Sequence, residues 1–383
     1  MKNIVYGKQF IDSKDIRLVS KSLKSNLITT GDYVRKFEYE LKKYLRAKYV
    51  VTCTSGTAAL DLSIRSLGLS KGDIVIMPAI NFIASYSICN FLGAKIYLSD
   101  VDPLTGQVTP ELIEQCIKKN KIKKIKLIIC MQMGGYLNKL EEFYKIKKKY
   151  KCFLLDDACH ALGAKYKCKD KLLMMGSCTF SDISVFSLHP VKTITTGEGG
   201  IISTNNKRVY DKSILLRSHG IIRNKNKFHW KYDIKKLGLN YRLSDINCAL
   251  GISQLSKIEK FIDNRSRCFN YYVKLLNSYK DFLKIPNQEN KNLSSFHLFL
   301  LNIEFKKIGK TKNNFFKFMK KNNIICQYHY IPIYKFGMYE GKKEKYKNSE
   351  KYFNNTVSLP IFSNLKKEHQ RYIVKKIIEF TQL

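Results

Sequence analysis

Between Lys48 and Ala158 short apolar runs alternate with helical patterns, and no other feature of the chain restricts its fold as much. YVVTCT, DIVIMP, AKIYLSDVD, KIKLIICM and CFLLDDA have the length of strands. SGTAALDLSIRSLGL, NFIASYSICNFLG, PELIEQCIKKN and LEEFYKIKKKY lie between them and have the length and spacing of helices. Strands joined through helices of this kind make right-handed crossovers and a mainly parallel sheet. Runs that are apolar throughout suit strands covered on both faces. The expected fold class is therefore α/β, a sheet flanked by helices.

The flanking sequence divides the chain further. Residues 1–31 read as an N-terminal arm, with a helix from Asp12 to Ser25 whose apolar positions are Ile16, Val19 and Leu23. A second helix, Tyr33 to Leu45, carries Phe37, Leu41 and Leu45 on one stripe. The large domain is expected over 32–250. Ala249 to Leu276 reads as one long amphipathic helix, leading into a small C-terminal α+β domain, 251–383. Its expected strands are FHLFLLNIEF and IICQYHYIPIY, and its closing helix is RYIVKKIIEFT.

Composition narrows the function classes. The formal charge is +38, but the excess is lysine spread through every segment, and arginine is scarce. There is no basic arm and no aromatic–basic alternation, so the charge reads as solvated helix faces rather than a nucleic-acid site. No apolar run is long enough to span a membrane and no signal-peptide core stands at the N-terminus, which leads us to expect a cytoplasmic protein. The eleven cysteines form no C-x-x-C pair and the seven histidines no cluster, so they read as buried hydrophobes and not as metal ligands.

Ligand sites in parallel sheets lie at the carboxyl ends of strands, and the informative residues fall there. After the first strand, TSGTAAL (Thr54 to Leu60) offers backbone N–H groups and the positive end of a helix dipole, as a phosphate cradle or simply as a helix start. Phe82, after the second, can stack on a ring or belong to the core. After the fifth, Asp156 and Asp157 precede His160; a buried carboxylate there needs a cationic partner, such as a protonated ring nitrogen, or else caps a helix. SLHPVKTITTGEGG (Ser187 to Gly200) sets Lys192 on a loop between the strands SDISVFS and GIIST. A lysine shielded from water loses basicity and can form a Schiff base; otherwise this one is a surface lysine in a tight loop. In GLNYRLSDINCALG, Asn240 and Arg242 reach an anion or close a turn. Phosphate cradle, ring-nitrogen acid and shielded lysine together fit pyridoxal phosphate chemistry.

These stretches carry a resemblance. GKQFIDSKDI, SGTAAL, LLDDACHALGA, FSLHPVKTITTGEGG, LRSHGI and GLNYRLSDINCALGISQL follow the order and spacing of the DegT/DnrJ/EryC1/StrS sugar-nucleotide aminotransferases, over essentially the whole chain. The resemblance implies fold-type I aminotransferase architecture and pyridoxal 5'-phosphate joined to Lys192 as a Schiff base. It implies that Lys192 shuttles the proton, that Asp157 keeps the pyridine nitrogen protonated and that His160 stands near the cofactor's phenolic oxygen. Thr57, Ala58 and Ser187 match phosphate contacts. Asn240 matches an asparagine that reaches the cofactor phosphate of the neighbouring subunit, implying a homodimer with shared active sites. Tyr6, SNLITTG, the Lys192 loop and HYIPIY are most similar to the subgroup that works in the pseudaminic acid pathway. Matching substrate-contact positions there are Tyr6, Asn26, Leu27, Ile28, Thr29, Gly56, Ser187, Asn240, His329, Tyr330, Ile331 and Pro332. The implied reaction moves the amino group of L-glutamate to C4 of a UDP-linked 4-keto-6-deoxy-2-acetamido sugar. The alternative is C4 or C3 amination of another nucleotide keto sugar, of bacillosamine or perosamine type. The chain departs from the family pattern in two places, with Asp156-Asp157 for the commoner Glu-Asp and MQMGG (Met131 to Gly135) where a His or Tyr is usual.

Overall fold

A computed structural model describes residues 3–223, 228, 230–286, 292–341 and 346–382. The arm carries α1 (Ser13–Leu23), capped by Asp12, whose side chain accepts from the Lys14 and Asp15 amides. α2 (Asp32–Leu45) follows and buries Phe37, Leu41 and Leu45. Then come β1 (Tyr49–Cys53), α3 (Gly56–Ser66), β2 (Ile74–Pro78), α4 (Ile83–Phe91), β3 (Lys95–Ser99), α5 (Pro110–Lys119), β4 (Leu127–Met131), α6 (Leu140–Tyr150) and β5 (Phe153–Asp157). A hairpin, β6 (Lys165–Cys168) and β7 (Lys171–Met174), leads to β8 (Ile183–Ser187), β9 (Gly200–Thr204) and α7 (Lys207–Arg217).

Seven of these strands form one sheet in the order β1-β9-β8-β5-β4-β2-β3. β9 runs antiparallel to both its neighbours, and the other pairings are parallel, so the sheet is mixed but mainly parallel as expected. β4 and β9 are buried along their whole length, because helices cover both faces. Successive residues of a strand point to opposite faces. Leu155 packs with α3, α4 and α7, while Leu154 packs with α5 and α6. Asp157 and Asp156 repeat that division one step further along.

The remainder comprises the ribbon β10 (Ile221–Arg223) and β11 (Tyr232–Ile234), then α8 (Asp245–Leu255) and α9 (Ile258–Leu276). β12 (Leu283–Lys284), β13 (Asn292–Leu293), β14 (Phe299–Ile303), α10 (Lys312–Lys321), α11 (Lys347–Asn355), β15 (Thr356–Leu359) and α12 (Lys367–Gln382) complete the chain. β12, β14 and β15 form a second, antiparallel sheet.

Three expectations are corrected. The single helix over Ala249 to Leu276 is two, broken at Ser256–Lys257, where Lys257 Nζ turns to meet Asp12 at 2.9 Å and Asp15 at 2.7 Å. The expected 250/251 domain boundary thus falls inside α8. The strand expected over IICQYHYIPIY is absent: Ile324 bridges Ile4, Gln327 bridges Ser358, and Pro332, lacking an N–H, turns the chain into a short 3-10 turn at Ile333–Lys335. Finally, α1 buries Asp15 and Ser22 while Ile16 and Leu23 of its apolar stripe face solvent. The eleven cysteines are all free and nine are buried. Among the described residues no helix is long and apolar enough to cross a membrane.

Candidate active site

At the carboxyl ends of β5 and β8 lies a cavity of about 310 Å³. Its floor is Asp157, its side walls are Gly56, Thr57 and Ser187, and Lys192 enters from the loop between β8 and β9.

The wall begins where β1 turns into α3. Ser55 caps that helix by accepting from the Ala58 amide at 3.1 Å. Ala58 therefore spends its N–H on the cap, while the amides ahead of it at the helix start keep the unpaired character of any first turn. Gly56 allows this turn to sit on the strand end, since a Cβ there would stand 3.0 Å from the Ser187 Cβ and 3.3 Å from the Cys159 Sγ. Gly200 serves the same closeness from β9, where a Cβ would meet the Ser55 carbonyl at 2.1 Å.

Asp157 is 2% exposed. Its Oδ2 accepts from the Ser85 hydroxyl of α4 at 3.2 Å and its Oδ1 from the Cys159 amide at 3.3 Å. Burial pushes its carboxyl above the usual range; hydrogen bonds from Cys159 and the charge of Lys192 hold it back. A buried carboxylate with only neutral donors favours a cation brought in from outside, such as a protonated heterocycle.

The Lys192 loop is a closed hairpin. Leu188 N donates to Gly199 O at 2.8 Å, Thr195 Oγ1 to Leu188 O at 2.9 Å and Lys192 N to His189 O at 2.9 Å. Burial lowers the Lys192 ammonium below the ordinary lysine value, Cys159 and Asp157 oppose that, and Arg265 adds to it. A lysine so placed gives up its proton more readily than one on the surface.

The roof comes from three other segments. Phe82, half exposed at the N-cap of α4, faces the Tyr330 ring at 5.6 Å between centroids. Tyr6 of the arm and His329 stand 5.8 Å apart, ring to ring. His329 Nδ1 is 2.8 Å from the Ser358 hydroxyl. His160 lies behind this wall: its Nδ1 accepts the Gly134 N–H at 3.3 Å, which leaves its proton on Nε2, 2.9 Å from Tyr330 Oη. Burial, then the charges of Lys192 and His329, keeps His160 neutral by holding its pKa well below the usual value.

The structure thus brings together Tyr6, Gly56, Thr57, Phe82, Asp157, Ser187, Lys192, His329 and Tyr330. Ile331 and Pro332 are outside the lining, held away where Ile333 N donates to Ala79 O at 2.9 Å. Asn240 and the segment Asn26 to Thr29 are also outside it: Asn240 bridges Ser218, while Thr29 bridges Ser244 and Asp245 N donates to Ile28 O at 2.9 Å. Sequence reasoning missed Ser85, the partner of Asp157, and His297, a buried histidine on the cavity whose Nδ1 has no partner. Ser85 is three residues from Phe82 on one helix, a spacing that would have found it. His297 sits in an apolar run and gave no such signal.

A phosphorylated aromatic aldehyde with a basic ring nitrogen fits these residues: a glycine-built helix start for the phosphate, an aromatic face, a buried acid and a shielded amine. Comparison with known proteins agrees. The DegT/DnrJ/EryC1/StrS aminotransferase family model matches residues 9–378. A Campylobacter jejuni UDP-4-amino-4,6-dideoxy-N-acetyl-beta-L-altrosamine transaminase (serotype O:23/36, strain 81-176) is 34% identical over 372 residues, 97% of this chain and 95% of that one. The GDP-perosamine synthase of Escherichia coli O157:H7 is 31% identical, over 99% of both chains. Helicobacter pylori PseC, an aminotransferase involved in the biosynthesis of pseudoaminic acid, superposes with a TM-score of 0.89 at 26% identity, over 100% of both chains. The chain therefore belongs to the DegT/DnrJ/EryC1/StrS family and is a sugar-nucleotide aminotransferase that uses pyridoxal phosphate.

Proposed function

We propose that this enzyme moves the amino group of L-glutamate to C4 of a UDP-linked 4-keto-6-deoxy-2-acetamido sugar, giving UDP-4-amino-4,6-dideoxy-N-acetyl-beta-L-altrosamine. The observation that carries the reaction is the meeting of Lys192, Asp157 and the start of α3 in one cavity. The sugar is supported by the 34% identity over 97% of the chain to the Campylobacter transaminase.

Bound pyridoxal phosphate supplies an electron sink beside the nitrogen being transferred. In our reading Lys192 would hold it and, as a neutral amine, would take the proton from the donor carbon and return one to the sugar carbon. Asp157 keeps a proton on the ring nitrogen. The first-turn amides of α3, with Thr57 and Ser187, bind the phosphate. Phe82 and Tyr330 cover the ring and keep water out, and His160 fixes the Tyr330 hydroxyl. Tyr6, Gly56 and His329 border the space left for the sugar.

We propose further that the working unit is a homodimer with shared sites. Asn240 and Asn26 to Thr29 match binding residues but are outside the cavity of their own chain. Among the described residues Ile16, Leu23, Leu27, Ile28, Trp230 and Leu237 face solvent, the last at 89% exposure. Large apolar side chains left exposed favour burial against a second copy.

The deciding experiment gives purified enzyme L-glutamate with UDP-, GDP- and dTDP-linked 4-keto sugars and follows 2-oxoglutarate. The UDP-2-acetamido sugar should be the fastest. Preference for a GDP-linked sugar would replace this reading with a perosamine-type one, which the 31% identity to GDP-perosamine synthase favours as the second reading.

A further inference from the structure

Behind the Lys192 loop stands a charge that the reaction scheme above does not use. Arg265, on α9, is among the largest side chains fully buried in the molecule. Its Nη2 donates to the Val191 and Lys192 carbonyls, both at 3.3 Å. Its Nη1 donates to the carbonyls of His297 at 3.3 Å and Ile361 at 3.2 Å. Nε has no partner. A buried arginine is ordinarily matched by a carboxylate, as Arg217 is here by Glu38 at 2.6 Å. The hydrogen-bond acceptors of Arg265 among the described residues are backbone carbonyls, which solvate the guanidinium without cancelling its charge.

We propose that Arg265 is a positioning residue for transamination: its guanidinium clamps the backbone of the Lys192 loop, ties that loop to residues 297 and 361, and holds an uncancelled positive charge beside the reactive amine. This rests on Lys192 being that amine, as proposed above. The clamp acts on the two carbonyls that flank the Lys192 α-carbon, so it fixes where the side chain starts. The charge disfavours a second cation nearby and so favours the neutral amine that a base requires.

The other groups facing Lys192 do not supply this effect. Asp157 and Cys159, at and beyond the end of β5, act in the opposite sense. His160, His297 and His329 are kept neutral chiefly by burial, and Tyr6 and Tyr330 likewise keep their protons. His189 and Glu198, from the loop itself, complete the lining. Arg265 is the cation the structure sets against the ammonium form.

The test is competitive acetylation of the full chain, freed of cofactor, between about pH 6 and 11, read peptide by peptide, with exposed Lys145 as internal reference. Lys192 should reach half-labelling at a lower pH than Lys145. Arg265→Met should raise that midpoint, and Arg265→Lys, which keeps the charge but loses the fork, should leave it near the native value. Arg265→Lys should instead lower kcat and leave the KM for L-glutamate unchanged. A merely structural arginine would move both variants alike. Coincident midpoints for Lys192 and Lys145 in the native chain overturn the proposal without any variant, so a failure of Arg265→Met to fold does not shield it. Added pyridoxal phosphate should protect Lys192 from the label. Absence of protection overturns the Lys192 assignment and Arg265's role with it; protection without the shift overturns the role of Arg265 alone.

Discussion

Two regions carry the residues matched to ligand binding, and they are built differently. At the ends of β5 and β8, each group is fixed by its own chain: Asp157 by Ser85 and the Cys159 amide, the Lys192 loop by the Leu188–Gly199 closure, the start of α3 by Ser55. At Asn26 to Thr29 and at Asn240 the backbone is just as well held, with Gly31 N donating to Asp245 Oδ2 at 2.7 Å and Asn240 bridging Ser218. Yet the side chains of these residues are exposed. On the reading proposed above, the contrast separates the reacting machinery, finished within one chain, from a recognition surface completed by a second. Chemistry demands positions accurate to fractions of an ångström, which a packed core supplies. Contacts to the distant parts of a ligand tolerate assembly from two pieces.

The sharpest way to break this division is to remove its first half. Lys192→Ala should lower kcat by at least about a thousandfold, the scale of a lost general base. It should also lose the cofactor adduct that borohydride reduction fixes on the native chain. An adduct on another lysine would move the reactive centre elsewhere. Asp157→Asn keeps the shape of the floor but not its charge, and should cost about a hundredfold or more in kcat. Its activity should not recover at any pH, because an amide has no carboxylate to regain. Activity near the native level would mean that the ring nitrogen is not held by this residue.

The second half should show weaker, concentration-dependent effects. If Asn240 holds an anion as proposed, Asn240→Ala removes one hydrogen bond to it, worth about tenfold to a hundredfold in cofactor or substrate affinity. If the sites are shared, mixing Asn240→Ala with Lys192→Ala subunits rebuilds some intact sites, each with a native Lys192 from one chain and a native Asn240 from the other. Activity should therefore rise well above that of either parent. A mixture no better than the average of the two would place Asn240 in the site of its own chain and collapse the comparison.

How much of this was legible follows the same division. Strand–helix alternation revealed the sheet, because both faces are covered and each run is apolar throughout. Lys192, Asp157 and the Ser-Gly-Thr turn were found because strand ends are where such sheets place ligands. Asn26 to Thr29 came from family resemblance alone, and the local pattern at Asn240 left an anion contact and a turn equally open. Arg265 was hidden in NRSRCF, where Arg265 is buried and Arg267 is not, and a misplaced helix break obscured which face of α9 looks inward. HYIPIY was read as a strand because β-branched and aromatic residues suit strands. Here His329 and Tyr330 serve instead as pocket wall, and the single bridges to neighbouring segments fall earlier, at Ile324 and Gln327.

The smallest effect on activity, and the finest test of the first region, comes from the acid one residue away. Asp156 points to the opposite face of β5 from Asp157, where Gln132 Nε2 donates to it at 3.1 Å and the Ser184 hydroxyl at 3.4 Å. Burial pushes its carboxyl from 3.8 to about 6. The folded chain therefore binds this proton more tightly than the unfolded one. Stability from this residue is full below about pH 4 and is lost as the pH rises through 6, by about 2–3 kcal/mol in all. Asp156→Asn, uncharged at every pH and able to keep both hydrogen bonds, should match the native chain in urea unfolding at pH 4 and exceed it at pH 7.5 by about that amount. Turnover should be unchanged. A stability difference that does not vary with pH would show that Asp156 is not the titrating group. A large loss of turnover would show that the two faces of β5 are not separate, and that the site reaches through the sheet to the α5–α6 side.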